Sequence, residues 1–320
     1  MKIFITGGSG FIGSKLVDRL IEAGHEVANF DARLHFINKP LYYKAALKNR
    51  KKLYNQPTKQ YKGDIRNIKQ LEEAFEDFQP EVVVHLAGLS MARPIPQHAH
   101  EMIPINMVGT FNVLEVFERS SSARRLIYTS SSMSYGHFTQ SPQTEEVILN
   151  PINAYGAAKA AGEYFVKLSK KEWVIVRPTS VYGYTDAANR VTQLLLDSAM
   201  TKKPAWILRG ETLDFSYVDD VVRGFHLCID SHSAMYQTFN ISRGEPRSAQ
   251  DFAEVLKQHF PKFTYEVREP TSLHVFRGAL DITKAQKLLG YEPKFSIEQG
   301  IAEIISLMET HGWKDDAYKD

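Results

Sequence analysis

The chain has 320 residues, of which 43% are hydrophobic and 24% charged, and its formal net charge is +2. This is an ordinary globular composition, and the small net charge argues against nucleic acid or a membrane surface as a partner. The single cysteine, Cys228, rules out an internal disulfide framework and suits a cytoplasmic protein. The apolar run IFI near the start is too short for a signal peptide, and no window approaches the ~18 apolar residues of a membrane helix.

Short apolar runs alternate with helical patterns through the first 180 residues. Strands are predicted at 2–6, 26–30, 81–88, 125–131 and 173–179, and helices at 10–24, 64–78, 106–120 and 153–170. Continuous β-branched runs separated by helices are typical of a parallel sheet covered on both faces. The fold class is therefore α/β, with a doubly wound parallel sheet.

The alternation weakens after about residue 180. Helices are predicted near 190–202, 219–230, 248–259 and 296–311, with one strand at 238–242. We expect a cofactor-binding domain over 1–180 and a smaller substrate-binding lobe over 181–320, with some C-terminal elements returning to the first domain. The long basic segment 32–63 is either a solvated insertion or a cover over a bound anionic ligand.

The stretch TGGSGFIG (6–13) places Gly7, Gly10 and Gly13 between a predicted strand and a predicted helix. Gly7 permits a tight turn, Gly10 lets the backbone approach a pyrophosphate, and Gly13 lets the helix pack closely on the strand. The helix N-terminus then favours anionic phosphates. The loop therefore predicts a dinucleotide site.

Two carboxylates follow at later strand ends. Asp31 ends the second strand, where a carboxylate accepts hydrogen bonds from the adenosine ribose and repels a 2′-phosphate, so NAD is favoured over NADP. Arg33, two residues further on, leaves NADP open. Asp64 follows a glycine at the next turn, where it could meet the adenine edge or cap a helix.

The helix NAYGAAKAAGEYF (153–165) carries Tyr155 and Lys159 four residues apart on one face. A tyrosine has an ordinary pKa near 10, and a lysine ammonium one turn away stabilises the phenolate. The serine-rich run YTSSSMSYG (128–136) ends a predicted strand, and such ends point at the ligand crevice. These features occur in the order that a hydride-transfer site needs.

Taken together, the motifs resemble those of the extended short-chain dehydrogenases/reductases, in the group of NAD-dependent nucleotide-sugar epimerases and dehydratases. The resemblance spans nearly the whole chain through TGGSGFIGS, GDI, VVVHLAG, TSSSMSYG, YGAAK, RPTSVYG, DFSYVDDV and DITKAQKLLGYEPKFSIEQGI. It implies a Rossmann domain, NAD as cofactor, a nucleotide-sugar substrate and a homodimer formed by helices near 100–118 and 153–170. No metal site is assigned.

The resemblance also implies roles for individual residues. Ser131, Tyr155 and Lys159 are similar to the catalytic set. Cofactor contacts would come from Gly7, Gly10, Phe11, Ile12, Gly13, Asp31, Asp64, Ile65, Leu86, Ala87, Gly88, Asn106, Tyr155, Lys159 and Pro178. Substrate contacts would come from Ser90, Ser131, Ser132, Met133, Tyr155, Ser180, Arg190 and Arg277.

Three departures from the family pattern refine the expected activity. Dehydratases and uronate decarboxylases of the group usually carry a glutamate where this chain has Met133, which cannot exchange a proton, so both activities are disfavoured. Ser180 replaces a frequent asparagine, and Leu213 replaces an arginine that would give a bidentate phosphate contact. Substitutes for that arginine are sought among Arg177, Arg190, Arg209 and Arg277.

The sequence therefore predicts an NAD-dependent epimerase of a nucleotide sugar, acting at C4 of a UDP-hexose or UDP-hexuronate. The insertion PLYYKAALKNRKKL (40–53) is similar in placement to one in uronate epimerases. One alternative is a nucleotide-ketosugar reductase that consumes NAD(P)H. A second is a cofactor-sensing scaffold without catalysis, which the intact tyrosine, lysine and serine disfavour.

Overall fold

The structure, a computed structural model, describes residues 1–32, 48–89, 99–188, 190–270 and 275–311. Its centre is a parallel sheet of seven strands within this described chain. The strands are β1 (Lys2–Thr6), β2 (Glu26–Asp31), β3 (Lys59–Lys62), β4 (Val82–His85), β5 (Arg125–Thr129), β6 (Glu172–Pro178) and β11 (Gln237–Ile241). They lie in the order β11-β6-β5-β4-β1-β2-β3, which confirms the predicted doubly wound sheet.

Helices flank the sheet. They are α1 (Phe11–Glu22), α2 (48–53), α3 (Ile68–Phe78), α4 (Ala99–Ile103), α5 (Gly109–Arg119), α6 (Ala154–Lys167), α7 (Val191–Thr201), α8 (Val218–Asp230), α9 (Ala249–His259), α10 (Thr283–Leu289) and α11 (Ile297–His311). A π-helical turn, Pro104–Val108, joins α4 to α5, and short 3-10 turns lie at Ser132–Tyr135 and His232–Ala234.

Both faces of the central strands are buried, because successive residues of a strand point to opposite sides. Ile3 and Ile5 of β1 belong to the core that includes α1 and α8. Phe4 belongs to the core on the other face, with α3 and α5, and its ring centre lies 4.7 Å from that of Phe75. Burial on both sides explains why these strands are continuous apolar runs.

The C-terminal part adds three two-stranded pairs. These are β7 (Val181–Tyr182) with β10 (Ser216–Tyr217), β8 (Ala205–Leu208) with β13 (Tyr265–Arg268), and β9 (Thr212–Leu213) with β12 (Arg247–Ser248). β11 instead pairs with β6 in parallel, so one C-terminal element does return to the main sheet. The domain boundary near residue 180 stays a prediction.

Local features differ from the sequence prediction, among them the six short strands β7, β8, β9, β10, β12 and β13, which were not predicted. β3 was not predicted, because KQYK is a polar edge strand without an apolar run, and it pairs with β2 alone in the sheet. The helix predicted over 64–78 begins at Ile68, since the Asn67 side chain accepts a hydrogen bond from the Gln70 amide and caps it.

Cys228 is buried in α8, as expected for a structural thiol, and burial raises the pKa of its side chain. Among the described residues, no helix combines the length and apolarity needed to span a membrane.

Candidate active site

The loop between β1 and α1 lies at the point where the strand order reverses, the position where doubly wound sheets bind ligands. Gly7 has a φ of +79°, and a Cβ there would lie 2.7 Å from the Ala87 amide nitrogen. A Cβ on Gly13 would lie 2.3 Å from the Gly7 carbonyl oxygen. Side chains are therefore excluded at both positions. Gly10 is the N-cap of α1, whose positive end faces this loop.

A cavity of about 660 Å³ opens at the glycine loop, a size suited to a cofactor. The glycine loop and the N-terminus of α1 provide backbone amides that suit the phosphates of a dinucleotide. The Asp31 carboxylate suits the hydroxyls of a ribose, so these groups together fit NAD. The lining includes the predicted contacts Gly7, Gly10, Asp31, Asp64, Ile65, Leu86, Ala87 and Gly88. Phe11 and Ile12 begin α1 and pack against the core, and Pro178 is buried at the end of β6.

The basic segment contributes to the same cavity. The cavity is lined by Lys48, Arg50, Lys51 and Tyr54, and Arg50 is only 4% exposed. Residues 33–47 of the segment lie outside the described residues, so both interpretations, a solvated insertion and a cover over an anionic ligand, stay predictions. Arg33 lies outside the described residues.

The two predicted carboxylates have different partners. Asp31 accepts a hydrogen bond from the Ser9 amide at 3.0 Å, so it also stabilises the glycine loop. Asp64 accepts two hydrogen bonds from the Arg66 side chain, at 3.0 and 2.6 Å to Oδ2. The N-cap of α3 is Asn67, so the capping interpretation of Asp64 is wrong.

The loop after β4 rests on a buried polar chain. His85 lies 2.7 Å from Thr6 Oγ1 through Nδ1 and 2.9 Å from Thr110 Oγ1 through Nε2. Thr110 donates its own proton to the Asn106 carbonyl, so it accepts a hydrogen bond from Nε2 of His85. Burial and the nearby Lys159 charge lower the pKa of His85 to about 3.

Asn106 supports this loop through its side chain. Its Oδ1 accepts from the Leu89 amide at 2.8 Å, and its Nδ2 donates to the Leu89 carbonyl at 3.0 Å. A Cβ on Gly88 would lie 2.9 Å from Asn106 Oδ1 and 3.6 Å from Lys159 Nζ, so the loop reaches Lys159. Asn106 therefore shapes the cavity wall through the main chain of Leu89.

The structure brings Ser131, Tyr155 and Lys159 together. The Ser131 hydroxyl lies close enough to the Tyr155 phenol to influence its pKa, and Lys159, one turn further along α6, donates to the Thr129 carbonyl at 2.8 Å. The approach of α6 to the turn after β5 depends on Gly156, where a Cβ would lie 2.3 Å from the Met133 carbonyl oxygen. The glycine after the tyrosine is a signal that sequence reasoning missed.

The pKa values of Tyr155 and Lys159 shift in opposite directions. The pKa of Tyr155 is raised, because burial outweighs the opposite influence of the Arg190 charge and the Ser131 hydroxyl. Burial lowers the pKa of Lys159 to about 8, against the influence of Glu163. Lys159 is therefore cationic at neutral pH and can stabilise a phenolate.

The predicted substrate residues after β5 and β6 are placed differently. Ser132 donates to Thr179 Oγ1 at 2.8 Å, and Met133 is buried. Ser180 has a φ of +40°, and its Oγ is buried without a hydrogen-bond partner in the described chain. Ser90 lies outside the described residues.

The arginines considered as phosphate ligands differ in their exposure and partners. The prediction that Arg177 binds phosphate is wrong, because it is 2% exposed and its guanidinium donates to both carboxylate oxygens of Glu163, at 2.8 and 2.6 Å. Arg209 lies on the surface and pairs with Glu269. Leu213, which replaces the family arginine, is buried in the core.

Arg190 and Arg277 remain as candidates. Arg190 occupies the N-cap position of α7 without a capping hydrogen bond, donates to the Val181 carbonyl at 2.9 Å, and acts on Tyr155 through its charge. Burial lowers the pKa of Arg277, and its buried Nε has no hydrogen-bond partner among the described residues. A polar ligand could satisfy that donor.

Residues 3–242 match the NAD dependent epimerase/dehydratase family. The chain belongs to this family. Among its relatives, a putative UDP-glucose 4-epimerase of Methanocaldococcus jannaschii is 29% identical, with 97% of this chain and 99% of the relative covered. A probable dTDP-glucose 4,6-dehydratase of Sinorhizobium fredii is 28% identical, with 98% and 94% covered.

Solved structures show the same similarity over the full fold. The UDP-glucuronic acid 4-epimerase of Bacillus cereus, in complex with UDP-glucuronic acid and NAD, has a TM-score of 0.86 and 26% identity, with 97% of this chain and 99% of that chain covered. Membership of the family confirms the resemblance and the expected cofactor, NAD.

Proposed function

We propose that the chain is an NAD-dependent epimerase that inverts C4 of a UDP-linked hexose or hexuronate. The observation that carries this proposal is that Ser131, Tyr155 and Lys159 lie together beside the dinucleotide cavity, where a Cβ on the wall residue Gly88 would lie 3.6 Å from Lys159 Nζ. The family and the named relatives support the cofactor and the substrate class.

Held by the glycine loop and Asp31, NAD would supply reversible hydride transfer at C4, and a transient 4-keto sugar would take the hydride back on its opposite face. Tyr155 takes the proton of the 4-hydroxyl as the carbonyl forms and gives it back when the hydroxyl is restored. Ser131 holds the sugar oxygen by a hydrogen bond. Lys159 stabilises the phenolate through its charge and binds the nicotinamide ribose.

Met133 supports epimerisation over dehydration. Elimination of water from the sugar needs a proton donor and acceptor besides Tyr155. Met133 is buried at the position where dehydratases of the group usually carry glutamate, and a thioether cannot exchange a proton. Epimerisation needs no such group, because hydride leaves and returns at one carbon.

The variant Tyr155→Phe tests the mechanism. We expect turnover to fall by about 10³-fold or more, since proton transfer is lost, while NAD stays bound. Tyr164→Phe is the matched control, because Tyr164 lies on the same helix but is 58% exposed. Epimerisation by Tyr155→Phe at the wild-type rate would refute the proposal.

We propose that Arg277, together with Arg190, binds the diphosphate of the UDP-sugar. The unpartnered Nε of Arg277 supports this role, and Ser132 and Ser180 complete the sugar side of the site. Loss of one charge-assisted hydrogen bond predicts that Arg277→Met raises KM for the UDP-sugar by about tenfold or more. Arg209→Met, on the exposed surface, should leave KM unchanged.

A nucleotide-ketosugar reductase would use the same side chains but exchange its cofactor at each turnover. The two functions separate when purified protein is denatured and the released nucleotide is identified by mass spectrometry. Near-stoichiometric NAD, with epimerisation in the absence of added reductant, supports the epimerase. An empty protein that turns over a 4-ketosugar with NADPH would identify the reductase.

We propose that the protein is a homodimer. The outer faces of the π-turn, α5 and α6 expose Val108, Phe111, Tyr164 and Leu168, each 49% or more. Such a patch marks an interface, and the same helices of a second copy would cover it. Light scattering of the wild type should give twice the chain mass. The double variant Phe111→Arg, Leu168→Arg should give monomers, and a monomeric wild type would contradict the proposal.

A cytoplasmic location stays a prediction.

A further inference from the structure

Arg50 of α2 bridges two loops that are distant in sequence. Its Nη1 donates to the Ser9 carbonyl at 3.0 Å, in the glycine loop. Its Nη2 donates to the Thr185 carbonyl at 2.7 Å, and its Nε lies 3.4 Å from Thr185 Oγ1. Thr185 belongs to the loop between β7 and α7. One planar guanidinium therefore holds the cofactor loop and the loop that leads to the substrate side.

The bridge is buried and lies in the cavity wall. Arg50 is 4% exposed and lines the dinucleotide cavity together with Ser9. A buried guanidinium is costly unless hydrogen bonds satisfy it, and the rigid fork of arginine makes several at once. A lysine at this position could not reach all these acceptors together. The chemistry at position 50 is thus specific to arginine.

The second loop is strained where Arg50 holds it. Thr185 has a φ of +69°, which is unfavourable for a β-branched residue and persists only where neighbours impose it. Arg50 engages both the carbonyl and the hydroxyl of Thr185. The residues that precede Arg50 and Thr185 add a contact, since Asn49 Nδ2 donates to the Tyr184 hydroxyl at 3.2 Å.

We propose that Arg50 is a positioning residue that locks these two loops around the bound dinucleotide and so slows its release. The proposal rests on the proposed function, because an epimerase reuses one NAD, whereas a reductase must exchange its cofactor. Arg50 would act through Ser9 and Thr185, not through the reacting atoms. Its loss should therefore change cofactor release more than chemistry.

The experiment measures the rate at which NAD leaves the full-length holoprotein, by trapping released NAD with excess fluorescent etheno-NAD. Arg50→Met removes the fork, and Arg50→Lys keeps the charge with fewer hydrogen bonds. Lys52→Met is the matched control, since Lys52 is exposed on the same helix and does not line the cavity. We expect NAD release about tenfold or more faster in Arg50→Met, an intermediate rate in Arg50→Lys, and the wild-type rate in Lys52→Met.

The readout is specific, because a purely structural role would lower Tm without changing release from the folded fraction. Turnover of Arg50→Met should recover when NAD is added in excess, so KM for NAD rises while kcat changes little. If Arg50→Met does not fold, the rate of NAD release is compared between wild type, Arg50→Lys and Asn49→Ala instead. Wild-type release rates in the Arg50 variants would overturn the proposal alone. A wild-type protein that never retains NAD would overturn it together with the epimerase.

Discussion

Replacing Lys159 with methionine should abolish turnover and yet make the cofactor-free protein more stable at neutral pH. Lys159 is 5% exposed, and burial lowers the pKa of its ammonium from 10.5 to about 8. That difference corresponds to about 3 kcal/mol of unfavourable free energy while the group is charged. Methionine has a similar length and carries no charge.

The gain is reduced by one broken contact. Lys159 Nζ donates to the Thr129 carbonyl at 2.8 Å, and leaving that buried oxygen without a donor costs about 1–3 kcal/mol. The net stabilisation of Lys159→Met at pH 7 is therefore about 1 kcal/mol. A residue that is kept for its function often lowers the stability of the folded protein, as is expected at active sites.

The pH dependence of this difference is the sharper test. Below pH 8 both folded and unfolded chains hold the lysine proton, so the unfavourable contribution is complete. Between pH 8 and 10.5 the unfolded chain holds more protons, so wild-type stability rises with pH relative to the variant. Above 10.5 the contribution has disappeared, and only the lost Thr129 contact separates the two proteins.

Urea unfolding of the cofactor-free proteins between pH 6.5 and 10 measures this effect, because bound NAD would add its own stabilisation. The free energy of unfolding of Lys159→Met minus that of wild type should decrease as pH rises above 8. Lys69→Met, at an exposed position on α3, serves as the control and should show a constant difference. A constant difference for Lys159→Met as well would refute the reasoning.

Three further substitutions test the site. Gly13→Ala places a Cβ 2.3 Å from the Gly7 carbonyl, so the free energy of unfolding should fall by about 1–3 kcal/mol. NAD titration should also show weaker binding, and an unchanged affinity would contradict the close packing. Glu163→Gln leaves the buried Arg177 without its anion and should cost about 3–5 kcal/mol in urea unfolding, a result that wild-type stability would exclude. Ser131→Ala should lower kcat by about 10–100-fold in an epimerisation assay, and an unchanged kcat would remove the serine from the mechanism.

Local patterns predicted the elements that position the cofactor. The β-branched runs became the central strands, and the glycine spacing of 6–13 gave a loop where Gly7 and Gly13 exclude side chains. The four-residue spacing of Tyr155 and Lys159 placed both on one helix, since helical geometry is a local property. β3 escaped prediction because an edge strand has no apolar run to mark it.

Other features depend on contacts between residues distant in the chain. The sequence marks Arg177 and Arg277 equally as charged, but only packing pairs Arg177 with Glu163 and leaves the Arg277 Nε without a partner in the described chain. Likewise, nothing in the basic segment indicates that Arg50 reaches Thr185, 135 residues away. Residue type and spacing determine which local structure forms, because the backbone period is short-ranged. Which side chains meet is decided by how those elements pack, and that only the tertiary structure shows.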